Sequence, residues 1–204
     1  AFGIVSALIH SIRTGEGQVV DSAMVDGSLS LMSFFYSLKQ MGHWDDKRES
    51  NLLDGYAHFY DTYECKDNKY IAIGSIEPQF YSELLDKLAI DDERFLDQYN
   101  KKLWPELKQV IASKIMEKTR LEWQDIFADT DACVTPVLDM SEAQENIHNL
   151  KRNAFTNIDG FNQPSASPRF SKTKPEIKYN AKKVGIDLDD ICSEFGLSKE
   201  TLSN

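Results

Sequence analysis

Residues 59–88 read FYDTYECKDNKYIAIGSIEPQFYSELLDKL, and this stretch decides the fold. Two runs rich in aromatic and β-branched residues, Phe59–Cys65 and Tyr70–Ile76, flank a polar turn at residues 66–69, which predicts a β-hairpin. Proline suits the first helical position, so Pro78 predicts the start of a helix. Apolar residues at helical spacing then predict its buried stripe, namely Phe80, Tyr81, Leu84, Leu85 and Leu88. A hairpin followed by a helix favours an α/β fold.

The segment before the hairpin predicts a helix, a strand and a second helix. Apolar residues recur at helical spacing before Gly15, which favours a helix end. Residues 18–24 are typical of a short buried strand, and residues 25–38 of a helix. Because one strand cannot form a sheet, we expect the other strands, and an upstream partner segment, to come from elsewhere. Residues 43–60 are polar and turn-rich, which predicts a linker.

The segment after the hairpin predicts further helices and one more strand. Pro105 favours a helix start, and the capping-box patterns at Thr119–Glu122 and Ser141–Gln144 predict two others, the last reaching about Arg152. Residues 132–138 predict a strand, and the proline within it indicates an edge or a strand end.

The last part of the chain is predicted to be mostly irregular. Residues 156–185 contain three prolines and many polar residues, which indicates a return segment with little regular structure. Apolar residues from Leu188 predict a short helix that stops at Gly196.

Composition excludes several classes of protein. The formal net charge of −10 argues against nucleic acid, because a basic surface supplies most of that affinity. The three cysteines and four histidines are widely spaced, which offers no metal-binding signature and fits a reducing compartment. No apolar run approaches the ~20 residues that span a bilayer. We therefore expect a protein of the cytoplasm or an organelle matrix that is not secreted.

Four strings carry a resemblance to a known family. They are GEGQVVDSAMVDG at residues 15–27, NLLDG at 51–55, GSIEPQFY at 74–81 and DACVTPVL at 131–138. In this order and spacing they resemble the family III CoA transferases and racemases, and GSIEPQFY is closest to the α-methylacyl-CoA racemase form. The resemblance extends from about residue 1 to residue 197.

The resemblance implies a partial family III fold and an interlocked homodimer. On this pattern, residues 1–42 end the N-terminal part of a Rossmann-like large domain, and residues 43–60 are a linker. Residues 61–155 form a small α/β domain, and residues 156–204 return to the large domain and end in a helix. The active site lies between the large domain of one subunit and the small domain of the other.

The resemblance also implies a reaction, which is racemisation by 1,1-proton transfer at the α carbon of 2-methylacyl-CoA thioesters. The catalytic His and Asp of the family match no residue here, so we expect this chain to be an incomplete, inactive part of the enzyme. Glu77 matches the catalytic glutamate, while Tyr60, Ile76, Asp54 and Gly55 match substrate-binding positions. Coenzyme A would enter as part of the substrate, with no other cofactor or metal. The alternatives are a CoA transferase and a non-catalytic fragment or split subunit.

Several residues have a structural interpretation beside the functional one. Glu77 could be a helix-terminal carboxylate, which the helix dipole favours by roughly 0.3–1 kcal/mol. For Asp21 and Asp26 a structural or capping role is favoured. For Cys133 the favoured role is that of a thiol packed in the core.

The linker departs from the family pattern at two positions. Tyr56 replaces a family glycine, which puts the conformation of the loop in doubt. His58 replaces a proline, and we expect a solvated loop side chain at His58 and no catalytic base.

Overall fold

The computed structural model describes residues 1–181, 184 and 187–198. The chain forms two compact units, residues 1–137 and residues 138–204, which are described separately. Parts of the predicted return segment, at residues 182–183, 185–186 and 199–204, lie outside the described residues.

The first unit opens with the helices α1 (Phe2–Thr14), α2 (Met24–Leu31) and α3 (Ser33–Gln40). The predicted first helix is confirmed, and Gly15 ends it in the left-handed conformation, with φ 78. The strand predicted at residues 18–24 is not formed, because residues 16–23 pair with no described strand and Met24 begins α2. Partner strands from elsewhere stay a prediction. The helix predicted at residues 25–38 is two helices, interrupted at Met32.

Helices α1–α3 expose most of their apolar side chains. Within residues 2–40, all of which the structure describes, no helical residue is buried. The side chains that are more than half exposed include Phe2, Ile4, Ile12, Met24, Val25, Leu31 and Phe34. Large contiguous apolar patches are rare on soluble monomers and often mark interaction surfaces. None of the helices in the described ranges is long and apolar enough to cross a membrane.

The predicted hairpin is confirmed and organises the rest of the first unit. Its sheet contains β1 (Tyr60–Glu64), β2 (Tyr70–Gly74) and β3 (Val134–Pro136), in that spatial order. β1 and β2 are antiparallel, with Tyr60 opposite Gly74, and β3 is antiparallel to the other side of β2. The strand predicted at residues 132–138 is therefore shorter, and Pro136 lies on an edge strand as expected.

Three helices pack with this sheet, namely α4 (Pro78–Leu88), α5 (Trp104–Ile115) and α6 (Arg120–Ile126). The starts predicted from Pro78 and Thr119 are confirmed, and α5 begins one residue before Pro105. At the start of α6, the Thr119 hydroxyl accepts the Glu122 N–H at 3.3 Å, and the Glu122 carboxylate accepts the Thr119 N–H at 2.8 Å. This reciprocal pair is the capping box that the sequence predicts.

The core of the first unit is built from large apolar side chains of the sheet, of α4–α6 and of the adjoining segments, which include a 3-10 helix at Glu93–Leu96. Its largest fully buried members are Trp104, Trp123, Phe59, Phe95, Ile71, Leu84, Leu88, Leu107, Ile111 and Ile115. Each buried indole still finds an acceptor: Trp104 donates to the Gln98 carbonyl at 2.8 Å, and Trp123 to the Ile115 carbonyl at 2.7 Å.

The second unit contains α7 (Met140–Glu145), α8 (Ile147–Lys151), β4 (Phe155–Ile158), β5 (Phe161–Pro164) and α9 (Leu188–Phe195). The capping box predicted from Ser141 is wrong. Asp139 is the cap, because its carboxylate accepts the Ser141 and Glu142 N–H groups, both at 2.8 Å. The helix expected to reach Arg152 is divided at Asn146, whose backbone is extended and whose side-chain oxygen caps α8 by accepting the His148 N–H at 3.0 Å.

A second hairpin replaces the irregular start predicted for the return segment. β4 and β5 are antiparallel, and Asp159 and Gly160 form the turn with φ 51 and 84. Two left-handed residues match the twist of the strands, which is why Asp-Gly forms such turns. The C-terminal helix is confirmed, with Gly196 left-handed at its end.

Candidate functional site

A cavity of about 480 Å³ lies against the three-stranded sheet of the first unit. Its lining consists of Leu53, Asp54, Gly55, Tyr60, Asp61, Thr62, Ala72, Ile73, Gly74, Cys133 and Thr135. Three of the predicted substrate-binding residues, Asp54, Gly55 and Tyr60, are thus brought together at one cavity. The other two predicted site residues, Ile76 and Glu77, are outside this lining and follow shortly after the end of β2 at Gly74.

The Asp54 carboxylate holds together the loop that forms one wall. It accepts hydrogen bonds from the Ser50 N–H at 3.1 Å, the Asn51 N–H at 2.9 Å and the Asn51 side-chain amide at 2.8 Å. Burial would raise the pKa of Asp54, but these hydrogen bonds outweigh it and hold that pKa below its usual value. The carboxylate is therefore ionised and largely occupied by its own loop, and contact with substrate stays a prediction.

The residues after Asp54 show how the loop accommodates the departure from the family pattern. Gly55 has φ 88, a conformation that side chains rarely adopt, and a Cβ there would stand 3.4 Å from the Asp61 carboxylate. Tyr56 follows without a positive φ and packs edge-to-face on Trp104, with ring centroids 5.5 Å apart. The glycine requirement is thus met at Gly55, and the Tyr56 ring is part of the packing.

The junction between β2 and α4 is fixed by hydrogen bonds to its backbone. The Ser75 hydroxyl donates to the Ala132 carbonyl at 2.5 Å. The Ile76 carbonyl accepts the Gln98 side-chain amide at 2.9 Å and the Tyr99 hydroxyl at 2.7 Å. The Ile76 side chain packs against the core, so both its side chain and its carbonyl are held in place.

Glu77 is presented at this rigid junction with an exposed side chain. It occupies the N-cap of α4 in extended conformation, with φ −72 and ψ 142, yet its side chain makes no capping hydrogen bond. Pro78 at the next position restricts Glu77 to this extended conformation. The carboxylate is therefore not committed to the helix end, which leaves it available for a ligand.

Cys133 lines the cavity beside the end of β2. Its carbonyl accepts the Gly74 N–H at 2.9 Å. Partial burial, and then the negative charge of nearby Glu77, raise the pKa of the Cys133 thiol. Glu77 itself lies outside the cavity lining. The predicted packed core thiol is wrong, because a left-handed backbone with φ 54 leaves Cys133 exposed.

His58 is buried, which contradicts the solvated side chain predicted for it. No part of the residue is exposed to solvent, and its Nε2 lies 2.7 Å from the Tyr81 hydroxyl. The rings of Phe59, Tyr81 and Phe95 surround the imidazole edge-to-face. Burial lowers the pKa of His58 to about 4, so the ring is neutral at physiological pH. A neutral imidazole enclosed in the core cannot act as a base on a substrate in the cavity.

Asp21 and Asp26 are both exposed. Asp26 lies in the first turn of α2, where the helix dipole stabilises a carboxylate, and the structural role of Asp21 stays a prediction. Neither lines the cavity. In the part of the chain that the structure describes, no group of three or more His, Cys, Asp or Glu side chains could hold a metal ion.

Comparison with known proteins assigns the family. Residues 1–187 match the model of CoA-transferase family III. The chain belongs to this family. The family III chain is 41% identical to α-methylacyl-CoA racemase of Mus musculus over 203 residues, which is 98% of this chain and 53% of the relative. It is 39% identical to the Homo sapiens racemase over 205 residues, or 99% of this chain and 53% of that relative. The chain spans about half the length of the curated relatives it matches.

A solved family III structure has the same fold. The CaiB/BaiF family protein from Brucella suis aligns with 95% of this chain and 52% of its own, with a TM-score of 0.74 at 19% identity. The α/β fold expected from the resemblance is therefore confirmed as a partial family III fold.

Asp61 and Lys108 form a pair at this site that the sequence reasoning missed. Asp61 lines the cavity beside Tyr60, and the Lys108 ammonium contacts its carboxylate from α5. The alternation of β1 places Asp61 on the opposite sheet face from Tyr60, so it gave no signal that both residues line one cavity. No local pattern could have paired Asp61 with Lys108, which is distant in sequence.

Proposed function

We propose that this chain is part of an enzyme that racemises 2-methylacyl-CoA thioesters by 1,1-proton transfer at the α carbon. The observation that carries the proposal is the 39–41% identity to α-methylacyl-CoA racemases over nearly the whole chain. Because the chain spans about half of those relatives, the complete active site in this proposal includes residues outside the 204. Coenzyme A takes part as the carrier of the acyl group, with no further cofactor.

The reaction requires one group to remove the α proton and another to return a proton on the opposite face. Between these steps the negative charge is delocalised onto the thioester carbonyl, which must be stabilised by hydrogen-bond donors or positive charge. A His and a carboxylate can serve the two faces, and a second carboxylate beside the His raises its pKa and orients it.

Within this scheme we assign Glu77 to proton transfer in support of a His from another part of the protein. The support is its exposed carboxylate, free of helix capping, on a backbone held by Ser75 and Ile76. Tyr60, Gly55 and Asp54 would shape the cavity for the thioester, and the half-buried Ile76 would contact the acyl part.

The test is α-deuterium uptake by a 2-methylacyl-CoA in heavy water. We expect no exchange above buffer with this chain alone, and exchange with a complete protein that contains it. In the complete protein, Glu77→Gln should slow exchange by up to about 10²–10⁴-fold while CoA-ester affinity changes little. Glu93→Gln, another exposed glutamate of the first unit, is the matched control. Exchange near wild type in Glu77→Gln would make Glu77 a helix-terminal carboxylate only.

The second candidate is transfer of CoA between carboxylic acids. It is favoured by the family model and by a 23% identical relative over 178 residues, the acetyl-CoA:oxalate CoA-transferase of Acetobacter aceti. Family III transferases would form acyl-enzyme anhydrides with an aspartate nucleophile. Incubating the complete protein with an acyl-CoA and a labelled carboxylate separates the two: label entering the thioester indicates transfer, and α-deuterium without label indicates racemisation.

We also propose that the protein acts as a homodimer in the cytoplasm or an organelle matrix. The exposed apolar side chains of α1–α3 support an interface, and the free thiols Cys65, Cys133 and Cys192 fit a reducing compartment. The family-based domain division at residues 42, 60 and 155 remains part of this proposal. A monomeric complete protein in light scattering would contradict the dimer.

A further inference from the structure

The wall of the cavity rests on a lysine that does not line it. Lys108 lies on α5 beside the fully buried Leu107, and α5 packs against β1. Its ammonium group contacts two acceptors, the carbonyl of Gly55 and the carboxylate of Asp61. Both acceptors belong to residues of the cavity lining, whereas Lys108 borders a second hollow of about 580 Å³, which shares Gly55 and Thr62 with that lining.

The three groups depend on one another for their positions. The left-handed Gly55 brings its backbone so close to Asp61 that a Cβ would stand 3.4 Å from the carboxylate. The Gly55 carbonyl oxygen carries a partial negative charge and the Asp61 carboxylate a full one, so a cation that contacts both oxygens stabilises their approach. The Lys108 ammonium, with three donors, can serve both acceptors at once.

Partial burial makes this contact stronger than an ordinary surface ion pair. The side chains of Lys108 and Asp61 are 32% and 23% exposed, so solvent screens them less than a fully exposed pair. The Asp61 carboxylate also accepts the Thr62 N–H at 2.8 Å, which orients it along β1. Asp61 directly follows Tyr60, whose ring lies within 3.8 Å of a Cβ built at Gly74 across the hairpin.

We propose that Lys108 is a positioning residue that holds the Gly55 loop against the start of β1 and so fixes the cavity wall formed by Gly55, Tyr60 and Asp61. It also neutralises the Asp61 charge, which would otherwise face an anionic CoA ester entering the cavity. This second consequence rests on the proposed function, whereas the first concerns only the chain itself.

The first test measures amide hydrogen exchange by NMR on the chain as it stands. Lys108→Met removes the charge and keeps the aliphatic stem, and Lys108→Arg keeps a cation with several donors. Lys114→Met is the matched control, because Lys114 lies on the same helix with a 30% exposed side chain paired to Glu117. Asp61→Asn removes the other partner of the ion pair.

In Lys108→Met and in Asp61→Asn we expect the Tyr60 and Thr62 amides to exchange on the order of five-fold faster. This is the size of effect expected when one charge-assisted contact is lost. Lys108→Arg and Lys114→Met should stay near wild type. Unchanged exchange in Lys108→Met, or equal acceleration in Lys114→Met, would overturn the positioning role.

The second test uses the complete enzyme and a 2-methylacyl-CoA. Lys108→Met should raise KM several-fold while kcat stays within about two-fold, and Lys108→Arg should restore KM. A loss confined to kcat would contradict a role in the binding wall. If the wild-type enzyme does not exchange the α proton, the proposed function fails, and the amide exchange still decides the role of Lys108.

Discussion

Acidification should destabilise the first unit through one buried side chain, His58. The folded chain encloses its imidazole among aromatic rings, with Nδ1 lacking any hydrogen-bond partner and burial holding its pKa at about 4. In the unfolded chain the same group has a pKa near the ordinary value of ~6.5. The unfolded state therefore binds a proton first as the pH falls, and this favours unfolding.

The sign and size of this effect follow from the two pKa values. The contribution of neutral His58 to stability is fully present above about pH 6.5 and is lost as the pH falls from there towards 4. Each pH unit inside that window costs about 1.4 kcal/mol, so moving from pH 7 to pH 5 should remove about 2 kcal/mol from the free energy of unfolding. The whole difference between the folded and unfolded pKa values of His58 corresponds to about 3 kcal/mol of unfolding free energy.

Urea unfolding followed by tryptophan fluorescence measures this change. Trp104 and Trp123 are both buried in the same unit as His58 and report on its core. With a urea m-value of about 2 kcal/mol/M, the midpoint should fall by about 1 M between pH 7 and pH 5.

The control is the double variant His58→Leu with Tyr81→Phe. It removes both partners of the 2.7 Å hydrogen bond and leaves no buried hydroxyl unpaired. The midpoint of this variant should change little over the same pH range. If the wild type and the double variant lose stability equally, the burial argument for His58 is refuted.

Three further predictions concern the loop, a helix cap and the site. Gly55→Ala should lower stability by about 1–3 kcal/mol in thermal unfolding, because alanine is strained at φ 88; an unchanged Tm would contradict the left-handed backbone. In thermal unfolding, Asp139→Ala should destabilise α7 by about 1 kcal/mol, whereas Ser141→Ala should be nearly neutral. A larger loss in Ser141→Ala would instead support the cap predicted from the sequence. Loss of α-proton exchange in Glu77→Gln of the complete protein, with CoA-ester affinity retained, would support the proposed role of Glu77.

Features set by neighbouring residues in the sequence were predictable. The hairpin around residues 66–69, the helix from Pro78 and the capping box at Thr119 each depend on a few adjacent residues, and all three are present. The second hairpin carried an equally local signal, because Asp159 and Gly160 are the residues that favour a two-residue turn. Its nearby prolines indicated irregular structure and obscured that signal.

Features set by distant contacts were not predictable. His58 follows a polar, turn-rich stretch, and only the packing of Tyr81 and Phe95 around it explains its burial. Cys133 lies in an apolar run, yet it is exposed and its backbone is left-handed, a conformation that the apolar pattern does not indicate. The cavity itself combines residues from three strands and a loop, so its membership depends on the sheet order.

The short edge strand β3 has a consequence for how the protein behaves at high concentration. An open sheet edge offers unpaired backbone groups to which a strand of another molecule can add, and repeated addition leads to aggregates. β3 contains three residues, and one of them, Pro136, has no N–H to offer. An incoming strand would find too few donors for a continuous ladder. Replacing Pro136 with a β-branched residue would therefore remove a natural guard against misassembly, although Pro136 does not line the cavity.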